Sequence, residues 1–286
     1  MPHVEHDPRR MRETILAARA AGRRVGFVPT MGALHAGHGS LAERAAAECD
    51  DVAVSIFVNP TQFGPQEDFS RYPRRLEDDL ALLAPLGTRW VFAPGVDDVY
   101  PPGDATRIVV GGPAEPFEGR LRPGHFSGVA TVVCRLLLAV PADVAYFGAK
   151  DWQQTLVVRR MVADLGLPVE IVVAPTVREA DGLAMSSRNA YLSADERRRA
   201  VALFESLEHA TRLWQADASV PAIERAMREA LESRGVVVDY AALADPDSLL
   251  PLVADAVRGV ALVAGRLGST RLIDNRLLPP RDGRPR

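Results

Sequence analysis

The sequence predicts an α/β fold, a doubly wound parallel sheet with a smaller C-terminal α+β domain, and three observations predict it. Apolar runs of strand length alternate with helical segments as far as Ala174, the pattern of a parallel sheet covered on both faces. Val25–Val28 passes through a turn of small residues into a helix and then into the apolar run Val52–Val58. Such a βαβ unit is parallel and right-handed in nearly all cases. The alternation then breaks after Val177, and helices with antiparallel strands follow. The predicted division is 1–176 for the sheet domain and 177–286 for the smaller one.

Taken in order, residues 9–22 read as a helix with Met11, Ile15, Leu16 and Ala18 as its apolar stripe and Gly22 as its stop signal. The strand Val25–Val28 leads to His35 and His38, and an alanine-rich helix runs from Ser40 to Glu48, with Gly39 at its first position. The second strand ends at Asn59-Pro60. Residues 61–73 are irregular, and a loop of that length inside a compact domain is usually functional or disordered. A helix is expected over Arg75–Leu86, and strands at Arg89–Phe92 and Arg107–Val110. Val129, Val132, Val133, Leu136, Leu137 and Val140 recur at helical spacing. The strand Val144–Gly148 passes through Ala149-Lys150-Asp151 into a helix over Trp152–Leu165, and Val169–Ala174 closes the sheet. Beyond the polar loop Arg178–Asn189, Ser193–Glu196 is a capping box opening a helix to about Ala216. Ser219 opens another that ends at Gly235. Strands follow at Val236–Tyr240, Val260–Ala264 and Thr270–Asp274, and the tail from Arg281 is expected to fray.

Composition narrows the function classes. The chain has 286 residues, 47% hydrophobic and 25% charged, enough for a sizeable core and two domains. A net charge of −3 argues against a nucleic-acid-binding surface. The basic run Arg197-Arg198-Arg199 is expected on a solvated helix face. Cys49 and Cys134 make neither a disulfide framework nor a metal spacing and are expected to be buried, inert thiols. The N-terminus lacks an apolar signal core, and the run Leu136–Val140 is far too short to span a bilayer. A cytoplasmic protein without a membrane partner is expected.

Three stretches carry candidate chemistry. The turn Gly32–Ser40 sits where a strand meets a helix N-terminus, a ready anion site. It is not a P-loop, because no lysine follows its second glycine. His35 and His38 instead offer two imidazoles to a phosphate, which suits chemistry at the α-phosphate of a nucleotide. Metal binding by the pair has no third ligand nearby, and one core with one surface histidine is the alternative. Lys150 follows a strand's carboxyl end, where open α/β sheets hold ligands, and its charge suits a phosphoryl group under attack. Gln153 and Gln154, just beyond it, offer amides to a polar ligand. Met185-Ser-Ser-Arg188 supplies hydroxyls and a guanidinium, in a loop that can close over a nucleotide.

Pro29–His38, Ser55–Phe63, Arg71–Arg74, Phe147–Gln154, Asp181–Asn189 and Arg271–Asn275 stand in an order that closely resembles the pantothenate synthetase family. The His-x-Gly-His turn by itself is shared with the wider nucleotidyltransferase superfamily. The resemblance implies a Rossmann-like sheet domain with a C-terminal lid, and ATP-dependent condensation of (R)-pantoate with β-alanine through pantoyl adenylate, with Mg²⁺. It implies that Met31, Gly32, Ala33, Leu34, His35, Ala36, Gly37, His38, Gly148, Ala149, Lys150, Asp151, Val177, Met185, Ser186, Ser187 and Arg188 hold ATP. Gln62 and Gln154 would hold pantoate, Gln62 would also lie near β-alanine, and Met31 and Pro29 would wall the gem-dimethyl group. His38, His35 and Lys150 would be catalytic. Asn59, Arg122 and the stretch near Tyr72 would line the cavity, and Asp78 and Asp79 match positions linked to Mg²⁺. A homodimer is implied as well. Ala149 stands where the family usually carries Glu or Gln, and Gly39 where it usually carries a larger residue. Two rival readings are a related nucleotidyltransferase that stops at an adenylylated product and a catalytically silent nucleotide-binding regulator.

Overall fold

The computed structural model describes residues 1–64, 68–253 and 255–281. The chain divides into two compact units, one of residues 1–148 and 153–175, the other of residues 149–152 and 176–286.

The first unit opens with β1 (His3–Glu5) and α1 (Pro8–Ala20), whose N-cap Asp7 accepts the N–H groups of Arg9 and Arg10. Then come β2 (Val25–Thr30), α2 (Ala36–Glu48), β3 (Asp51–Ile56), α3 (Leu76–Leu83) and β4 (Trp90–Phe92). Two single turns, α4 (Val96–Val99) and α5 (Glu118–Leu121), precede α6 (His125–Ala139), β5 (Val144–Gly148), α7 (Trp152–Leu165) and β6 (Glu170–Ala174). All the strands pair in parallel, in the order β1-β4-β3-β2-β5-β6. The order reverses between β2 and β5, the switch point at whose carboxyl ends such sheets bind ligands. There β2 pairs with β5 only at Gly26 and Phe27, and Pro29 beyond them has no N–H to extend the ladder. The inner strands β2–β5 are buried on both faces: Phe27, Phe92, Ala145 and Phe147 pack on α1, α6 and α7, and Val28, Val54, Val91 and Tyr146 on α2 and α3.

The second unit contains α8 (Ala194–Ala200), α9 (Ala202–Gln215), α10 (Val220–Ser233), and an antiparallel sheet of β7 (Val237–Ala244), β8 (Gly259–Leu267) and β9 (Thr270–Leu278). Leu203, Leu207, Trp214, Ile223, Met227 and Leu231 bury the inner faces of α9 and α10 against Ala261, Val263, Leu272 and Leu278. No helix among the described residues is long and apolar enough to cross a membrane.

Several local expectations need correction. Arg107–Val110 forms no strand; Ile108 and Val110 pack on the core, and the Ile108 N–H donates to Thr131 Oγ1 (2.9 Å) rather than to a ladder. β1 is a strand that the sequence pattern does not announce: it is three residues long and is held by its pairing with β4. The helix after the Ser193–Glu196 capping box is interrupted at Val201. α2 begins at Ala36, so Gly39 lies within its first turn rather than at its first position. Cys134 is buried, but Cys49 is only half-buried, its Sγ 3.4 Å from Tyr146 Oη. Arg197 is not a solvated charge, since it pairs with Glu179 and Asp181. Arg281 is buried on the Trp214 ring, 3.6 Å from its centroid, and the rest of the expected frayed tail, 282–286, lies outside the described residues.

Candidate active site

The turn from Met31 to His38 is built by polar contacts on a buried strand end. Thr30 Oγ1 donates to the Ser55 carbonyl (2.6 Å) and accepts the Gly32 N–H (3.2 Å). Gly32 has φ +80°, and a Cβ there would lie 3.0 Å from both Ile56 and the Asp79 carboxylate. Ala33 follows at φ +51°, a left-handed conformation that costs about 1–2 kcal/mol outside glycine. Asp79, reaching over from α3, holds it there. Its Oδ2 accepts the Ala33 N–H (3.1 Å) and its Oδ1 the Leu34 N–H (2.7 Å). Burial pushes the Asp79 carboxyl up from its ordinary value, while the two N–H bonds pull the other way.

His35 is the N-cap of α2, and its Nδ1 accepts the Gly37 N–H (3.1 Å). The His35 N–H in turn donates to His38 Nδ1 (3.4 Å), a reciprocal box made of imidazoles. A ring nitrogen that accepts carries no proton, so in the neutral form both rings carry theirs on Nε2. The rings are tilted 44° with centroids 4.2 Å apart. The turn therefore gathers two Nε2–H donors at the positive end of a 13-residue helix with no acidic residue in its first turn.

Beside this turn lies a polar network centred on Asn59, which is 1% exposed. Its Oδ1 accepts the Thr61 N–H, the Thr61 hydroxyl and the Tyr100 hydroxyl (2.8–3.2 Å). Its Nδ2 donates to Gln62 Oε1 (3.1 Å) and to the Gly128 carbonyl (3.2 Å). Gln62, in the single 3₁₀ turn Pro60–Gln62, donates its amide to Met31 Sδ, so the turn expected to hold ATP and the residue expected to hold pantoate meet. The Gln62 carbonyl accepts from His125 Nδ1 (2.9 Å) and Arg122 (3.4 Å). Gly128 lets α6 approach: a Cβ there would fall 2.4 Å from the Thr61 carbonyl oxygen. Gln154 is half-buried, and its amide makes no hydrogen bond among the described residues. Gln153 has a structural task instead. It is buried, accepts the Glu118 N–H and donates to the carbonyls of Pro113 and Pro116. Tyr72 is buried, its ring set edge-on to Phe63 at 5.9 Å.

In the second unit, Ala149–Asp151 form a 3₁₀ turn in which Lys150 Nζ lies 3.5 Å from Asp151 Oδ1. Ala149 contributes its carbonyl, which accepts from Asn275 Nδ2, so the residue type expected there is not needed for that contact. The loop 177–189 is closed by the Met185 N–H on the Val177 carbonyl (3.0 Å) and anchored by Arg178, which meets the buried Asp274 in a bidentate pair (2.7 and 3.0 Å). Ser186 caps the 3₁₀ turn Ser187–Tyr191 by accepting the Arg188 N–H (3.3 Å), and Asn189 ties back to Glu179 (2.7 Å). Gly182, at φ +93°, clears the Phe204 ring, from which a Cβ would be 2.2 Å away.

The acidic pair does not fit a magnesium site. Both Asp79 oxygens are committed to backbone N–H groups, Asp78 is exposed beside Arg75 (3.9 Å), and no group of three metal-ligating side chains exists among the described residues. Asp79, which the sequence linked to Mg²⁺, instead braces the turn, and Gly128 and Asn275 are backbone contacts that the sequence reading did not single out. Only the motif Arg271–Asn275 hints at the last.

Comparison with known proteins identifies the family. The family model for pantoate-beta-alanine ligase matches residues 3–277. Curated pantothenate synthetases of Roseiflexus castenholzii and Thermus thermophilus are each 55% identical, over 92% of this chain and 95% and 96% of theirs. The crystal structure of the Thermus thermophilus enzyme superposes with a TM-score of 0.92 at 50% identity, covering 97% of this chain and 100% of that one. A Francisella tularensis pantoate-beta-alanine ligase, complexed with beta-gamma ATP and beta-alanine, has a TM-score of 0.81 at 35% identity over 97% and 98% of the two chains. A strand–turn–helix that presents two imidazole donors, on a chain matched over nearly its whole length, makes this protein a member of the pantoate–β-alanine ligase family.

Proposed function

We propose that this chain is an ATP-dependent ligase that joins pantoate to β-alanine, giving pantothenate, AMP and diphosphate. The observation that carries the reading is the Met31–His38 turn, with both Nε2–H groups at the head of α2 and Gln62 against Met31. Pantoate's carboxylate oxygen attacks the α-phosphorus of ATP, the bond to the β-phosphate oxygen breaks, and diphosphate leaves. Negative charge grows on the α-phosphoryl oxygens as two anions meet. His35 and His38 donate hydrogen bonds there, Lys150 supplies a positive charge, and Ser186–Arg188 bind phosphate oxygens. Gln62 and Gln154 orient pantoate, so much of the acceleration is positional. The neutral amine of β-alanine then attacks the acyl carbon of pantoyl adenylate, the bond to AMP breaks, and the nitrogen loses a proton. Asp78 and Asp79 are unsuited to hold magnesium, so any magnesium the reaction uses would have to be held by ligands other than this pair. The same reading makes the second unit a lid and the protein a cytoplasmic homodimer, the latter checked by light scattering of the purified protein.

The deciding assay incubates the protein with ATP, Mg²⁺ and pantoate, then adds β-alanine. Diphosphate release should require pantoate, and AMP and pantothenate should require both substrates. Diphosphate without subsequent amide would favour the adenylyltransferase, and silence at both stages the regulator. His38→Ala should slow adenylate formation by about 10²–10³-fold, the usual loss of one donor to a developing oxyanion, with the fold unchanged.

A further inference from the structure

We infer that Asn275 is the residue that positions Lys150. This rests on the catalytic role proposed for Lys150 and goes beyond it, because the Asn275 amide bonds the backbone of the lysine turn rather than the lysine side chain. Its side-chain amide donates both protons to consecutive carbonyls of the lysine turn, to Ala149 O at 2.9 Å and to Lys150 O at 2.7 Å. The 3₁₀ turn Ala149–Asp151 joins the end of β5 to the start of α7, and a lysine on four methylenes delivers its charge only as well as its backbone is held. Asn275 is 6% exposed and lies in the middle of β9, paired across to Leu262 of β8.

The neighbouring residue makes the arrangement specific. Asp274 and Asn275 are consecutive on a strand, so their side chains leave opposite faces of the sheet. Asp274 lies on the face of Leu272 and Leu278, toward α9, where it takes Arg178 in the bidentate pair that anchors the 177–189 loop. Asn275 lies on the other face and takes the lysine turn. Their backbones close the set. The Asn275 N–H donates to Asp274 Oδ1 (2.8 Å), and the Asn275 carbonyl accepts from Arg178 (3.4 Å). One step of β9 thus fixes the base of the Met185–Arg188 loop and the backbone of Lys150 in one rigid frame. Two segments far apart in sequence then keep a constant spacing to the phosphates they are proposed to hold.

The test is a double-mutant cycle on the full-length enzyme, read by single-turnover formation of pantoyl adenylate from ATP and pantoate. Asn275→Ala should lower the rate constant by 10- to 100-fold while leaving the burst amplitude, the melting temperature within a few degrees and the KM for β-alanine unchanged. In the Lys150→Ala background the same change should cost less than 2-fold, since the residue acts only through the lysine. A loss confined to the burst amplitude, equal losses in both backgrounds, or a normal rate in Asn275→Ala would each overturn the inference. A normal rate in Lys150→Ala would instead remove the catalytic role of the lysine and the inference with it. Should Asn275→Ala fail to fold, Asn275→Asp, of the same shape but without a donor, carries the same measurement.

Discussion

At the scale of single residues, Asp79 shows how a charge can serve geometry. It is 3% exposed and makes no ion pair among the described residues, yet its two oxygens hold the N–H groups of a turn whose Ala33 is left-handed. Hydrogen bonds to a charged acceptor are worth about 1.5–3 kcal/mol each, enough to offset the strain at Ala33. Asp79→Ala should therefore raise the KM for ATP about 10-fold or more and speed hydrogen exchange at the Leu34 amide, while the Mg²⁺ activation midpoint stays put. A shifted midpoint with an unchanged KM for ATP would return Asp79 to the metal. The two histidines obey a similar logic, since each spends Nδ1 on backbone and so keeps its proton on Nε2.

Between elements, α6 and the 3₁₀ turn Pro60–Gln62 meet through the bare Cα of Gly128. Asn59 bridges the two by bonding the Gly128 carbonyl and the Gln62 side chain together. Gly128→Ala pushes a methyl group to 2.4 Å from the Thr61 carbonyl, so the turn must shift and carry Gln62 with it. Overpacking of this kind costs about 1–3 kcal/mol of stability. The KM for pantoate should rise about 10-fold, well beyond any change in the KM for ATP. Equal rises in both would place the damage in the sheet rather than in the turn.

Across the whole molecule, each unit has its own hydrophobic core, and buried ion pairs pin the elements around it. In the first unit Asp51, at the start of β3, is 4% exposed and bonded by Arg23 and Arg89. Burial alone would raise its pKa, but the two guanidiniums hold it below the ordinary carboxylate value. Its stabilising contribution is thus complete above the unfolded value of about 3.9 and is lost as pH falls through the folded one. Asp51→Asn should cost about 1–3 kcal/mol at neutral pH, where Arg23 and Arg89 regain water. The gap to the parent should narrow below about pH 4. A gap that is constant from pH 7 to pH 3 would show that Asp51 contributes no charge-dependent stability.

The sequence by itself determined the parallel α/β sheet, the antiparallel domain that follows it in the chain, and the strand–turn–helix that carries His35 and His38. These are local properties, set by the period of apolar residues and by small residues at turns, so a window of about 10–20 positions contains them. It missed β1 and gave Arg107–Val110 a strand, because a short extended segment becomes a strand only when a partner lies beside it. It also offered Asp79 to magnesium and Gln153 to a ligand, where packing commits both to backbone. Only the tertiary structure decided what holds the site in place. Asp79 lies 45 residues from Leu34, Gly128 69 from Asn59, and Asn275 125 from Lys150. An aspartate, a glycine and an asparagine have no local signature for such work. Their roles exist only once folding has brought each against an unpaired backbone group that must be satisfied or a chain that must pass close by.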